Sequence, residues 1–501
     1  MINHTDPGSD QNDAGDGIVS DKMVPPHAWK KSMTDRRLLL VMLMTVGLVS
    51  GLVFALSPVI MNFDSFPAIP TAISILNRHT LALNYYSHVP FVAKNYTIGQ
   101  YHGTALTQFP WVVALFALPT VAMLDAVHLV GGPTADHVVS QLGTENTLTV
   151  IWTASLVTAL ACTVMAALAY RRLGGSARTR RRLALVCGLV FAFGTSAWST
   201  ASRALWQHGP SLLMLGVGLL AMDRIFPAHG IAPTATVRRA ALLAGASFAL
   251  AFAIRPVNAI ALGLMLLAIA WRMRQCIWTY VVGAAAVLLP WMAVTHAFYG
   301  VYIQPYDSAS RLTITNTFLE ALAANLVSPA RGILIFSPVV ALAGWGAILV
   351  IRQRSAGPIE LVSIVILPLY LIVVSMFPEW WAGSSYGPRF MSESLPFLLI
   401  LSLPAIDRLR EWSADPIKRK SPSFTVAVVL VLLLVMASIV INGEGGMLRA
   451  TTCWNAKEGS PLNIDNRPSR VWSWSDAQFD YGLRALSSEG MKAVTTCPAS
   501  P

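Results

Sequence analysis

The sequence predicts an all-α polytopic membrane protein with about eleven transmembrane helices, and three observations point there. Of its 501 residues, 54% are hydrophobic and only 12% charged, where a soluble domain carries roughly 25% charged residues. Apolar stretches of about 17–25 residues, long enough to cross a bilayer as helix, recur along the chain. Basic residues gather in short loops between those stretches: KK at 30–31, RR at 36–37, RRLGGSARTRRR at 171–182, RR at 238–239, RMR at 272–274, RQR at 352–354 and KRK at 418–420. By the positive-inside rule these mark the cytoplasmic side. The same clustering accounts for the net charge of +11 without nucleic acid as a partner.

Taken in order, residues 1–37 are polar and rich in Asp, Gly and Ser. They read as a disordered cytoplasmic tail with no cleavable signal, followed by a signal-anchor helix at 38–60. Residues 61–146 then form the first outer loop. Within it, 110–131 is apolar but holds Pro110, Pro119 and Asp125, all awkward in a lipid-exposed helix. A full crossing there would also put the arginine-rich loop 171–182 outside. A re-entrant or juxtamembrane helix on the outer face is therefore expected.

Further spans are expected at 147–170, 183–200, 209–226, 240–254, 257–271, 277–298, 332–351, 359–378, 393–407 and 423–441, which closes a transmembrane domain over 38–441. Residues 442–501 form a small outer tail. Cys162, Cys187 and Cys276 lie in or beside spans, whereas Cys453 and Cys497 share the tail, where an oxidising compartment favours a disulfide between them.

Five polar motifs sit at the ends of apolar runs: NFDSFPAIP (62–70), SRALWQHGP (202–210), IRPVN (254–258), SPARGIL (328–334) and EWWAGSSYGPRF (379–390). The topology above puts all five on the outer side. Asp64 at the membrane boundary is placed to take a proton from an acceptor hydroxyl; capping the next short helix is its plainer role. Tyr85, Tyr86, Tyr96 and Tyr101 in the same loop suit sugar stacking and equally an interfacial belt.

Arg203, Trp206, Gln207 and His208 form one dense connection suited to positioning a substrate, with His208 able to bond phosphate or accept a proton. A histidine bonded to backbone at a helix end is the alternative. Arg255 lies between apolar runs beside a helix-breaking Pro, and an intramembrane arginine marks a functional site by default, unless it snorkels to the interface. Arg331 and Arg389 adjoin Pro and Gly turns ahead of later spans, and Tyr386 shares the motif of Arg389. Head-group anchoring would explain both arginines. Guanidinium groups also make bidentate, permanently charged contacts to phosphate, and three would offset the charge of a departing phosphate.

Other chemistries lack an anchor. There is no P-loop, no H-E-x-x-H and no zinc spacing of Cys and His, and no G-x-S-x-G. The outer carboxylates Asp64, Asp307, Glu320 and Glu379 are widely spread, so no metal site and no required cofactor is expected.

The long first outer loop opening with Asp, the S-x-x-x-W-Q-H-G-P connection, the R-P helix break and W-W-x-G-x-x-Y-G-P-R before a late span together resemble bacterial GT-C glycosyltransferases. Those polyprenyl-phosphate-sugar-dependent enzymes include the protein O-mannosyltransferases and the lipid A aminoarabinose transferase. The resemblance covers residues 38–410 and leaves the tail unmatched. It implies a GT-C fold in the bacterial inner membrane, with periplasmic juxtamembrane helices in the first loop, the N-terminus cytoplasmic and the C-terminal tail periplasmic.

It further implies a polyprenyl-phosphate-linked (undecaprenyl) sugar donor used without a nucleotide sugar, and a glycan, lipid or protein acceptor. Asp64 would be the catalytic base, and Arg255, Arg331 and Arg389 would bind the donor phosphate. Many relatives carry two adjacent acidic residues in the first loop. Here Asn62 and Ser65 flank a single Asp, so the assignment rests on Asp64 alone. A lipid-linked oligosaccharide flippase, which would need charge deep in the bundle, and an O-antigen ligase or polymerase remain as alternatives.

Overall fold

The computed structural model describes residues 26–61, 64–89, 92, 95–128, 148–229, 234–455 and 462–497. Most of the first loop's second half, residues 129–147, lies outside these, as do Asn62 and most of the expected N-terminal tail. The chain divides at Val41/Met42: the first part carries the start of helix α1, and residues from Met42 onward form the other unit.

α1 spans Pro26–Leu56, so helix begins well before residue 38 and the part of the tail from Pro26 is helical. Proline is favoured at a first helical position, where its missing N–H is no loss, and nothing in the following HAWKKSMTDRR breaks the run. The first loop then folds around α2 (Ala68–Arg78), a two-stranded hairpin β1 (Ile98–Tyr101) and β2 (Thr104–Thr107), and α3 (Leu118–His128), which is preceded by a tight helical stretch at Trp111–Ala117.

The hairpin is the one sheet among the described residues. It is antiparallel, with Ile98 opposite Thr107 and Tyr101 opposite Thr104. His102 (φ 50°) and Gly103 (φ 78°) close it, and positive φ at both central residues is what a two-residue hairpin turn needs to match strand twist.

The bundle follows: α4 (Leu148–Arg172), α5 (Ala177–Phe193), α6 (His208–Ile225), α7 (Thr234–Ile254), α8 (Ala259–Arg272), α9 (Ile277–Tyr299), α10 (Phe318–Val327), α11 (Ala341–Arg352), α12 (Pro358–Ser375), α13 (Leu395–Ala414) and α14 (Pro422–Met447). Among the described residues seven helical stretches are long and apolar enough to cross a membrane: Met33–Leu56, Thr149–Arg172, Ala235–Ile254, Arg274–Tyr299, Pro358–Ser375, Arg389–Ala414 and Pro422–Met447. The chain is a multi-pass membrane protein.

The other four expected spans coincide with α5, α6, α8 and α11, which are shorter or more polar. The stretch expected at 332–351 is broken: Ile333–Phe336 forms one turn, Ser337 leaves the helical region, and Pro338 starts the next element. The helix expected at 183–200 stops at Phe193 and resumes as a wider turn at Ala197–Ala201.

The two ends of the bundle differ in chemistry. At one end Arg171 and Arg172 of α4 pair with Asp223 of α6 at 2.5 and 2.8 Å, and Arg172 also meets Glu360 of α12. The Gly174 amide donates to Asp407 of α13, which holds Arg410 at 2.8 Å. Helices α4, α6 and α13 therefore finish where α12 begins.

At the opposite end α1 finishes, because Arg203, just ahead of α6, donates to the carbonyls of Phe54 and Ser57. The start of α4 lies there too. Ser57 and Leu148, on either side of the first loop, thus lie at the same end. Trp111 belongs to that end as well, its indole N–H donating to Thr295 near the close of α9 (3.1 Å).

Inside the bundle small residues allow close approach. A Cβ added to Gly245 of α7 would lie 2.0 Å from the Tyr280 carbonyl oxygen, and one on Gly283 of α9 would lie 2.1 Å from that of Leu242. These reciprocal contacts set the α7–α9 crossing, as in other membrane helix pairs. At the loop end, Phe66, Ile69 and Ile73 of the α2 region pack with Leu106, Trp111, Val150 and Ile254 in one buried cluster. Each such side chain contributes about 1.5–3 kcal/mol, and that anchoring fixes the loop segment that begins with Asp64.

The C-terminal appendage starts after Met447, later than residue 442, and contains α15 (Tyr481–Glu489). Cys453 and Cys497 are joined in a disulfide. Trp454, Ile464 and Val471 bury against Trp380 and Ala321, Ala324 and Ala330, so the appendage is packed onto the bundle end that carries the first loop.

Candidate active site

A half-open cavity lies between the first loop and the bundle. Asp64, Trp206, Gln207, His208, Arg255 and Arg389 all line it. These come from four separated motifs, and the fold delivers each for a local reason.

Asp64 opens a turn ahead of α2. That helix has no side-chain cap, so the capping role is not the one Asp64 plays. Its Oδ1 accepts from the Tyr96 hydroxyl at 2.6 Å, and its Oδ2 lies 3.0 Å from the Arg389 guanidinium. Packing around the hydroxyl, then the Asp64 carboxylate, pushes the Tyr96 phenol well above its ordinary value. Tyr96 therefore stays a neutral donor.

Arg255 sits where α7 ends. Its N–H makes the last helical bond, to Ala251, and Pro256 has no N–H with which to continue the helix. The resulting bend turns the side chain toward the cavity. There its Nε lies 3.4 Å from Glu393 Oε2, its ηN 3.2 Å from both ring nitrogens of His208, and the guanidinium stands 5.0 Å from the Phe390 ring centre.

His208, the first residue of α6, has Nδ1 2.9 Å from Glu393 Oε1. A carboxylate only accepts, so Nδ1–H is the donor and Nε2 is left to accept from Arg255. Glu393, fully buried, thus bridges the histidine and the arginine, giving Arg255 the partner that an arginine at this depth needs.

Glu393 was not anticipated from the sequence. The available signal was a carboxylate four residues after Arg389, at the edge of an apolar run. Arg389 also lies over the Trp206 ring at 4.7 Å. Three buried donors along this wall, the Trp206 Nε1–H, the Gln207 side-chain amide nitrogen and Arg389 Nε, have no hydrogen-bond partner among the described residues.

Three expected site residues stand elsewhere. Arg203 is fully buried and gives its donors to the carbonyls of Phe54, Ser57 and Val59, so it ties off the end of α1. Arg331 does not line the cavity. It donates to the Trp381, Gly383 and Ala330 carbonyls and to Gln478; burial and then the charge of Arg389 pull its guanidinium down to about 9. Tyr386 is buried against Phe336 and donates to the Ile441 carbonyl. All three support backbone, and none faces the cavity. Among the described residues no group of three or more His, Cys, Asp or Glu is placed to hold a metal ion.

No family model matches the sequence, and no curated protein matches it. Among solved structures the chain is similar to ArnT from Cupriavidus metallidurans bound to undecaprenyl phosphate, at 14% identity and a TM-score of 0.49, over 90% of this chain and 77% of that one. It is also similar to the oligosaccharyltransferase of Archaeoglobus fulgidus in the apo form, at 12% identity and a TM-score of 0.47, over 95% of this chain and 62% of that one. The chain spans less than two thirds of the archaeal enzyme. Likenesses at this level carry no argument about chemistry, which rests on the cavity itself.

Proposed function

We propose that the chain is a membrane glycosyltransferase of GT-C type. In this reading it transfers a sugar from a polyprenyl-phosphate-linked donor, such as an undecaprenyl one, to a hydroxyl of a glycan, lipid or protein, on the periplasmic face of the bacterial inner membrane. The observation that carries this reading is the cavity wall: the Arg255 and Arg389 guanidinium groups line one space with a single carboxylate, Asp64, and the adjoining Trp206 and Gln207 side chains and Arg389 Nε each keep a donor without an acceptor among the described residues. Donors without acceptors in a half-enclosed site are matched by an anion, and a cavity at the membrane end of the bundle is reached by a lipid-borne phosphate.

The chemistry then follows. The acceptor hydroxyl attacks the anomeric carbon, Asp64 takes its proton, and the sugar–phosphate bond breaks with the electron pair going to the phosphate oxygen. Arg389 and Arg255 stabilise that developing charge, and the Trp206 and Gln207 donors add hydrogen bonds. Glu393 and His208 hold Arg255 in place. Arg331, which has its donors committed to carbonyls and Gln478, has no part in binding phosphate here.

An O-antigen ligase would use the same arginines with His208 as its base, and the histidine's place in the wall favours that reading over a flippase. The test is binding of polyprenyl phosphate to the purified protein and to Arg389→Ala. Saturable binding by the wild type, weakened at least about tenfold in the variant, supports the reading, since a charge-assisted bond contributes about 1.5–3 kcal/mol. Equal binding by both removes Arg389 from the phosphate site. Transfer lost in His208→Ala but kept in Asp64→Asn would favour the ligase.

A further inference from the structure

Arg389 is central to that reading, and part of what fixes its position lies in the C-terminal appendage. It follows an irregular loop in which Ala382, Gly383 and Gly387 all have positive φ (62°, 56° and 65°). An alanine held there is strained by about 1 kcal/mol or more. Such a loop keeps its shape only if other groups bond its backbone.

Three side chains from elsewhere do so: the Thr200 hydroxyl donates to the Tyr386 carbonyl at 3.1 Å, and Arg331 and Gln478 hold the rest. Arg331 donates to the Trp381 and Gly383 carbonyls. Gln478, from the C-terminal appendage and 1% exposed, accepts at Oε1 from the Gly387 N–H (3.0 Å) and from Arg331 (2.5 Å). Its Nε2 donates to the Ser385 carbonyl at 3.0 Å. The orientation of this amide is unambiguous, because an N–H and a guanidinium only donate and a carbonyl only accepts. The Arg389 N–H in turn donates to the Gly387 carbonyl at 2.9 Å. The residue that Gln478 grips is the one from which Arg389 hangs.

We propose that Gln478 is a positioning residue of the site, through which the appendage sets the Arg389 guanidinium against Asp64 and so sets affinity for the donor phosphate. This rests on the role given to Arg389 above. Only a side chain with an acceptor and a donor on one planar group makes all three bonds. Glutamate keeps the two accepted bonds and loses the donated one; leucine loses all three.

The experiment measures the dissociation constant of polyprenyl phosphate for the full chain in detergent. The proteins compared are wild type, Gln478→Leu, Gln478→Glu, Arg389→Ala and the double variants Arg389→Ala/Gln478→Leu and Arg389→Ala/Gln478→Glu, each with its melting temperature. Gln478→Leu is expected to weaken binding roughly tenfold, the scale of one misplaced charge-assisted contact, with Gln478→Glu between it and the wild type. In the Arg389→Ala background the same leucine is expected to change nothing further.

Wild-type affinity in a folded Gln478→Leu, or an equal loss in both backgrounds, overturns the proposal. If the leucine variant fails to fold, the glutamate variant decides: wild-type affinity there overturns the proposal, and an intermediate affinity that vanishes as an effect in the Arg389→Ala background supports it. Wild-type affinity in Arg389→Ala alone sinks the phosphate reading itself, and the proposal with it.

Discussion

Arg389 holds Asp64 across 325 positions of sequence, a guanidinium nitrogen 3.0 Å from one carboxylate oxygen while Tyr96 bonds the other at 2.6 Å. The carboxylate proposed as base is thus oriented from two sides. Arg389→Lys keeps the charge but not the planar fork. It is expected to weaken donor binding by about 1.5–3 kcal/mol, roughly 10–100-fold, with a smaller effect on protein stability. Donor titration at fixed ionic strength checks it; unchanged affinity would show that only the charge matters.

Glu393 is the buried counterion of Arg255. Removing one member of a buried pair leaves the other uncompensated, at a cost of about 3–5 kcal/mol. Glu393→Ala is therefore expected to lower the thermal unfolding temperature markedly. Glu393→Gln, still able to accept from Arg255, should lower it less. Equal melting of all three proteins would show that Arg255 finds another partner.

The α7–α9 crossing depends on Gly245 and Gly283. Any side chain at Gly283 meets the Leu242 backbone, which cannot rotate away as a side chain can. Gly283→Val is expected to destabilise by about 1–3 kcal/mol or more. A variant that melts like the wild type would mean that the two helices separate freely.

The appendage is closed by Cys453–Cys497. Cys453→Ser is expected to cost the appendage about 2–4 kcal/mol and to make residues 448–497 susceptible to limited proteolysis. Protection equal to that of the wild type would place its stability in the packing of Trp454 instead, whose ring the Arg470 guanidinium covers at 4.1 Å.

Much of this arrangement is readable in the chain because a polar residue at the end of an apolar run is conspicuous. Asp64, Arg255, Arg389 and the Trp206–His208 stretch stand out for that reason, and the fold brings them to one cavity. Sequence does not separate an arginine that faces a ligand from one that donates to carbonyls. Arg203 and Arg331 share the composition and turn context of Arg389, and only three-dimensional placement shows that their donors are already used.

Glu393 escaped notice because M-S-E-S looks like an ordinary polar helix entry. The partner that makes it necessary, Arg255, is far away in sequence. Gln478 lies in a tail whose composition suggests no more than solvent exposure. Helix limits shifted where a single residue decides them, as at Pro26 and Ser337.

The most direct measurement is sugar transfer from a radiolabelled polyprenyl-phosphate donor by the purified wild type and by Asp64→Asn, with donor binding followed in parallel. General-base catalysis contributes about 10²–10⁴-fold, so turnover is expected to fall by that factor in the variant while donor affinity persists. Equal turnover by the two proteins would contradict the role given to Asp64, and absence of transfer by the wild type with every donor would contradict the glycosyltransferase reading as a whole.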